Sequence, residues 1–159
     1  MRLKTIVVLV VITICFACKN KHQENEVATT TSDLLYQKGE KITNTNFVGD
    51  VWLNSLVTAD SINRNALGSV TFEPGARTNW HFHPTGQIIL ALEGEGLYQE
   101  KGSQKRILKK GDVVKCPANI PHWHGASAGN KFIQVAITGR DKGPTEWLEP
   151  VTDEEYQGE

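Results

Sequence analysis

The feature that most constrains this chain is His81-Phe82-His83 followed at once by Pro84. It lies within residues 75–94, which read G-A-R-T-N-W-H-F-H-P-T-G-Q-I-I-L-A-L-E-G. On a strand, residues two apart share a face, so His81 and His83 present both imidazoles together. On a helix the same spacing would turn them about 200° apart. The pair can chelate only on extended backbone. The neighbours require that backbone: Trp80, Phe82, Ile88 and Ile89 are strand formers, and Pro84 excludes a helix interior. Gln87 follows across a Pro84-Thr85-Gly86 turn, within reach of the pair.

By itself an H-x-H pair is as compatible with two satisfied surface histidines as with a ligand pair. A second stretch changes the balance. Residues 111–126 read G-D-V-V-K-C-P-A-N-I-P-H-W-H-G-A, a short apolar strand and a proline-flanked turn leading to His122 and His124. Four of the chain's five histidines fall in these two stretches.

The two stretches resemble the two motifs of the cupin superfamily. Gly75, His81, His83 and Gly94 fit the first, with Gln87 where Glu is usual. Gly111, Pro117 and His122 fit the second, with Asn119 in place of Gly and Ala126 in place of Asn. The wording W-H-x-H-P-x-G-Q, followed by H-W-H-G-A, is similar to the carboxymuconolactone-decarboxylase-associated cupins and the manganese-dependent cupin hydroxynitrile lyases. The resemblance implies an all-β, jelly-roll barrel in which His81, His83, Gln87 and His122 bind a divalent metal. It also implies manganese as the favoured ion, with Fe, Ni or Zn as alternatives, and a homodimer.

Three imidazoles and one amide oxygen suit a mid-row divalent ion, and the absence of thiolate ligands argues against a closed structural zinc site. With Gln87 in place of a carboxylate the ion would keep its full charge, favouring anionic ligands and Lewis-acid chemistry. His124 shares strand parity with His122. It is a candidate catalytic acid–base, or else a group that only orients a ligand. Gln134 and Thr138 share one face of a strand over residues 132–138 and are candidates for the substrate pocket. Two functions remain open: a metal-dependent lyase acting on a small molecule, or a cupin that binds without catalysis or works as a dioxygenase or isomerase.

The 159 residues suffice for one domain with a sizeable core. A net charge of −1 and the lack of a basic patch exclude nucleic acid as the expected partner. Residues 1–17 read as a lipoprotein signal: Arg2 and Lys4, an apolar run over residues 6–16, then Ala17 before Cys18, the expected lipidated residue. That run is shorter than the ~20 residues a membrane span needs. Residues 18–33 are a polar tether, 34–150 the barrel domain and 151–159 a short tail. The expected location is therefore the periplasm, with the domain anchored to a bacterial membrane by lipid. Cys15 leaves with the signal and Cys18 carries lipid, so Cys116 has no disulfide partner. It reads as a buried small hydrophobe.

Short strands are expected over residues 34–42, 47–57, 68–73, 88–92, 95–100, 105–108, 113–116 and 132–138. Gly and Pro punctuation separates them, as in a sandwich or barrel. Residues 63–65 are expected in a loop over the barrel mouth. Thr152-Asp153-Glu154-Glu155 has the pattern of a capping box opening a short helix. If the histidines point inward, Trp80, Phe82 and Trp123 point outward. They would then form an exposed aromatic patch that a second copy covers, or that the segment around Trp147 and Leu148 covers within one chain.

Overall fold

The computed structural model describes residues 35–158. The expected signal segment, the tether and Cys18 lie outside the described residues. Twelve strands and one short helix follow in order. They are β1 (Glu40–Lys41), β2 (Phe47–Val48), β3 (Val51–Val57), β4 (Asn65–Phe72), β5 (Arg77–Thr78) and β6 (His81–Phe82). Then come β7 (Gln87–Glu100), β8 (Arg106–Lys109), β9 (Val113–Cys116), β10 (His122–Ala126), β11 (Phe132–Gly139), β12 (Glu146–Trp147) and α1 (Asp153–Gln157).

The strands form a curled antiparallel sheet in the order β1-β3-β4-β11-β7-β10-β5-β2. The fold is thus the all-β jelly roll expected. Its hinge is β7. The first half of this strand pairs with β9 and β11 through residues such as Ile88 and Leu90. The second half pairs with β8 and β10, with Tyr98 opposite Arg106 and His124. One strand therefore serves both walls, and the glycines at its middle make the corner. Gly94 takes φ of 77°, open mainly to glycine, and a Cβ there would collide with the Lys131 carbonyl. Gly96 lies flat beneath the Phe132 ring, where a Cβ would also collide. Two strands are expected on either side of Gly94; the structure has one, because the left-handed residue bends the ladder without ending it.

Other expected boundaries also shift. The first strand shrinks to Glu40–Lys41, and the next is divided into β2 and β3 by Gly49, at φ 79°. β4 begins at Asn65, so the loop near the cavity mouth is supplied by Thr58 and Ala59 rather than by residues 63–65. The capping box forms as expected. Glu155 N–H donates to Thr152 Oγ1 at 3.2 Å, and Thr152 N–H donates to Glu155 Oε2 at 2.9 Å.

Two apolar clusters hold the barrel. One packs Phe72, Ile89, Tyr98, Leu108, Val114 and Phe132 between the walls. The other packs Trp80, Trp123, Leu97, Val151 and Tyr156 on the outside of β10, with Leu148 against it. This corrects the expected exposed patch. Strand parity does send Trp80 and Trp123 outward, but they are only 3% and 0% exposed, because the chain after β12 covers them. Arg77, itself buried, fixes that segment. It donates to the Val151 carbonyl through Nε at 3.2 Å and Nη2 at 3.0 Å, and reaches Asp153 at 2.6 Å. Tyr156 O–H donates to the Ala126 carbonyl at 2.8 Å.

Candidate metal centre

β6 and β10 are antiparallel neighbours, with His81 directly opposite His122. Three residues beyond His81 the chain turns at Pro84, and the His83 carbonyl accepts from Gly86 N–H and Asn119 N–H, both at 3.0 Å. Asn119 closes this turn from the other side at φ 60°. That left-handed conformation explains why Asn stands where the motif has Gly, since Asn tolerates it best among the other residues.

The strands bring together one nitrogen each from His81, His83 and His122, all within 4.8 Å of one another and all buried. The ring centroids are 4.5 Å apart for His81 and His122, and 5.0 Å for His81 and His83. Each ring is held from behind. His81 Nδ1 meets the Asn79 carbonyl at 3.0 Å and His122 Nδ1 meets the Ile120 carbonyl at 2.9 Å. A carbonyl only accepts, so in both rings the proton is on Nδ1 and the Nε2 lone pair is free. His83 Nδ1 meets Thr145 Oγ1 at 3.1 Å. The Nε2 atoms of His83 and His122 are buried and have no hydrogen-bond partner. Buried polar atoms seldom go unpaired. Converging neutral rings, oriented from behind by two carbonyls and the Thr145 hydroxyl, match the donor set of an imidazole-bound divalent cation.

Burial keeps these rings neutral. It pushes His83 down from 6.5 to about 3, helped by the charges of His122 and Arg140 and opposed by a hydrogen bond with Gln87. Burial also lowers His81 well below its ordinary value, with the neighbouring imidazoles adding to the effect. His122 is lowered as well, again mainly by burial, while the Ile120 carbonyl and Glu100 oppose the shift.

Gln87, the first residue of β7, is buried beside this triad and lines the same cavity. Its Nε2 donates to Thr138 Oγ1 at 2.9 Å, which fixes the amide and leaves Oε1 on the other side, 4.0 Å from Cys116 Sγ. Cys116 is buried, and its thiol is pushed up to about 12 by burial. It is a protonated, inert group, as its place in the apolar strand suggested. His124 also lines the cavity, with its ring centroid 5.3 Å from that of His81 and its plane nearly perpendicular to the Phe72 ring, centroids 5.7 Å apart. It is 4% exposed, and neither ring nitrogen has a partner. Burial and the His122 and His83 charges lower its proton affinity well below the ordinary range. The pair Gln134 and Thr138 separates: Thr138 is on the cavity wall, whereas Gln134 lies in the interior, fully buried, with both amide atoms unpaired.

The cavity above the histidines has a volume of about 520 Å³. Its body is apolar, with Phe47, Val70, Phe72 and Trp147 among the walls. Trp147 stands opposite His81 in the β6–β12 pair, ring centroids 4.8 Å apart, and packs against Phe47 at 5.3 Å. Sequence reasoning missed Phe47, Arg140 and Thr145, and placed Trp147 on the outside. Parity within the tail held the missing signal: Trp147 and Leu148 are adjacent, so if one covers the outer aromatics the other faces inward.

The comparisons agree with this picture. The Cupin domain family matches residues 68–136. The chain is 41% identical over 112 residues to the (R)-mandelonitrile lyase of Granulicella tundricola, covering 70% of this chain and 86% of that one. A solved cupin-like protein from Thermotoga maritima is 46% identical, with a TM-score of 0.76, over 79% of this chain and 96% of its own. An acireductone dioxygenase from Alcanivorax borkumensis is 29% identical over 66 residues, covering 40% of this chain and 36% of that enzyme. An all-β barrel enclosing a buried imidazole cluster is the architecture of a cupin. The chain belongs to the cupin superfamily.

Proposed function

We propose that this cupin is a metal-dependent lyase that opens an α-hydroxynitrile into a carbonyl compound and hydrogen cyanide. The observation that carries the reading is the buried triad of imidazole nitrogens beside a largely apolar cavity, on whose wall the unpaired nitrogens of His83 and His124 lie. The mandelonitrile lyase relative, similar over most of both chains, supplies the reaction class.

In this reading His81, His83, Gln87 and His122 hold a divalent ion, manganese being the favoured one from the motif resemblance. The ion supplies Lewis acidity toward the substrate oxygen. The side chains of the chain itself do the rest. Thr138 holds the Gln87 amide, while Asn79, Ile120 and Thr145 hold the imidazoles. His124, neutral and desolvated, accepts the hydroxyl proton at a ring nitrogen. The electron pair left on oxygen forms the second carbon–oxygen bond as the carbon–carbon bond breaks, and the pair of that bond leaves with the nitrile carbon. Burial disfavours the charged imidazolium, so His124 returns the proton to the departing cyanide.

Metal analysis together with an assay on mandelonitrile, following benzaldehyde release, tests the reading. The expected result is about one divalent ion per chain, enantioselective cleavage, and loss of both in His122→Ala with the β-sheet spectrum retained. Full metal content in that variant overturns the ligand assignment. Oxygen uptake with iron bound, and no cleavage, would favour the dioxygenase alternative. Export, a lipid on Cys18, a periplasmic location and a twofold homodimer belong to the same proposal and rest on sequence and resemblance. Metabolic labelling with palmitate, abolished in Cys18→Ala, tests the anchor. Sedimentation of the purified protein tests the dimer, and a monomer at micromolar concentration removes it.

A further inference from the structure

Among the described residues, no carboxylate lines the large cavity, and Arg140 is its one permanently charged side chain. Arg140 follows β11 and is exposed at the cavity edge. Its backbone is fixed on both sides. Its N–H donates to the Arg64 carbonyl at 2.8 Å, and its carbonyl accepts from Gly143 N–H at 3.4 Å. Its side chain is turned toward the site by one hydrogen bond, from Nη1 to Thr145 Oγ1 at 3.1 Å. The same Thr145 oxygen lies 3.1 Å from His83 Nδ1. The guanidinium is therefore held two hydrogen bonds from the imidazole cluster.

Four of its five N–H donors remain after that bond. The nearest acid in sequence does not take them. Asp141 faces Arg64 instead, at 3.8 Å, and Arg140 forms no ion pair with any described residue. A mobile arginine on an open surface would satisfy these donors with water and signify nothing. This one is tethered at the rim of an apolar chamber, so its fork is oriented before any ligand arrives. A planar fork with free parallel donors matches a carboxylate in bidentate fashion. The same cavity offers an apolar surface with an aromatic wall, from Phe47, Val70, Phe72 and Trp147.

We propose that Arg140 forms an anion subsite at the cavity mouth, and that the substrate is an apolar carbonyl compound, or its cyanohydrin, carrying a carboxylate remote from the reacting carbon. The carboxylate pairs with Arg140, the apolar body lies along Phe47 and Trp147, and the reacting oxygen reaches the imidazole cluster. This names the substrate class of the lyase reading and rests on it.

The test is equilibrium binding to the purified protein, followed by calorimetry, of phenylacetate and its neutral counterpart phenylacetamide. Metal content is measured on the same samples. The native protein is expected to prefer phenylacetate by about tenfold or more, the scale of one charge-assisted hydrogen bond. Arg140→Gln should erase the preference by weakening phenylacetate alone, and Arg140→Lys should keep part of it. Equal affinity of the two compounds in the native protein overturns the subsite. So does a preference that survives Arg140→Gln, which would place the carboxylate on the metal. An Arg140-dependent preference in protein that carries no metal would leave the subsite standing and remove the lyase reading.

Discussion

At the scale of single residues, Gln87 sets the electrostatic character of the site. It stands where the first cupin motif has Glu, and Thr138 holds its amide in place. Gln87→Glu should keep or tighten metal binding, since it adds a negative ligand, while weakening anions such as cyanide several-fold. Spectroscopic titration of the metal-loaded protein with cyanide measures this, and tighter cyanide binding in the variant would refute the charge argument. The imidazoles make a second prediction. Their proton affinities are depressed in the folded chain, to about 3 for His83. An unfolded histidine titrates near ~6.5, so below that pH the unfolded state binds more protons. The metal-free protein should be most stable above that value and lose stability as pH falls from there toward 3. Denaturant midpoints across that range report it, and a flat profile would contradict it. Bound metal should be lost over the acid side of the same range, because ligation needs the neutral ring.

At the scale of elements, β12 supports the site. This two-residue strand lies beside β6, and its Trp147 covers His81 while neighbouring Thr145 holds His83. Thr145→Val keeps the shape and removes the hydroxyl. Metal affinity should fall about 10- to 100-fold, as it does when an outer hydrogen-bond partner of a ligand is lost. Chelator competition measures the loss, and unchanged affinity would show that the contact with His83 is idle. These elements also show what was legible in the sequence. His81 and His83 could be read because their relation is local: two residues, one face, and Pro84 to exclude a helix. The capping box at Thr152 and Glu155 could be read for the same reason. Thr145 could not, since it meets His83 across 62 residues of chain and only the pairing of β12 with β6 brings them together. Arg140 was hidden likewise, because nothing near it in sequence distinguishes it from a solvated charge. β7 was read as two strands because a left-handed glycine looks, in sequence, the same at a bend as at a break.

At the scale of the whole molecule, the barrel closes on itself by means of its own end. Trp80 and Trp123 would be a sticky outer face if the chain stopped at β12, and Leu148, Val151 and Tyr156 cover them. Trp80→Ser is therefore expected to destabilise the fold by about 3–5 kcal/mol, the range for emptying a large aromatic site, rather than to alter its association. Tyr156→Phe, which removes only the hydroxyl that reaches the Ala126 carbonyl, should cost about 1 kcal/mol. Urea midpoints of the two variants distinguish them, and equal small effects would mean that the cover is dispensable.

The position of β12 in the chain has a consequence for how the protein is made. His81, His83, Gln87 and His122 are all synthesised before Thr145 and Trp147, and the anchoring residues Val151 and Tyr156 come later still. A nascent chain can form the barrel walls while His83 still lacks the Thr145 oxygen behind it. The hydroxyl behind His83 thus arrives only after all four candidate ligands are already in the chain.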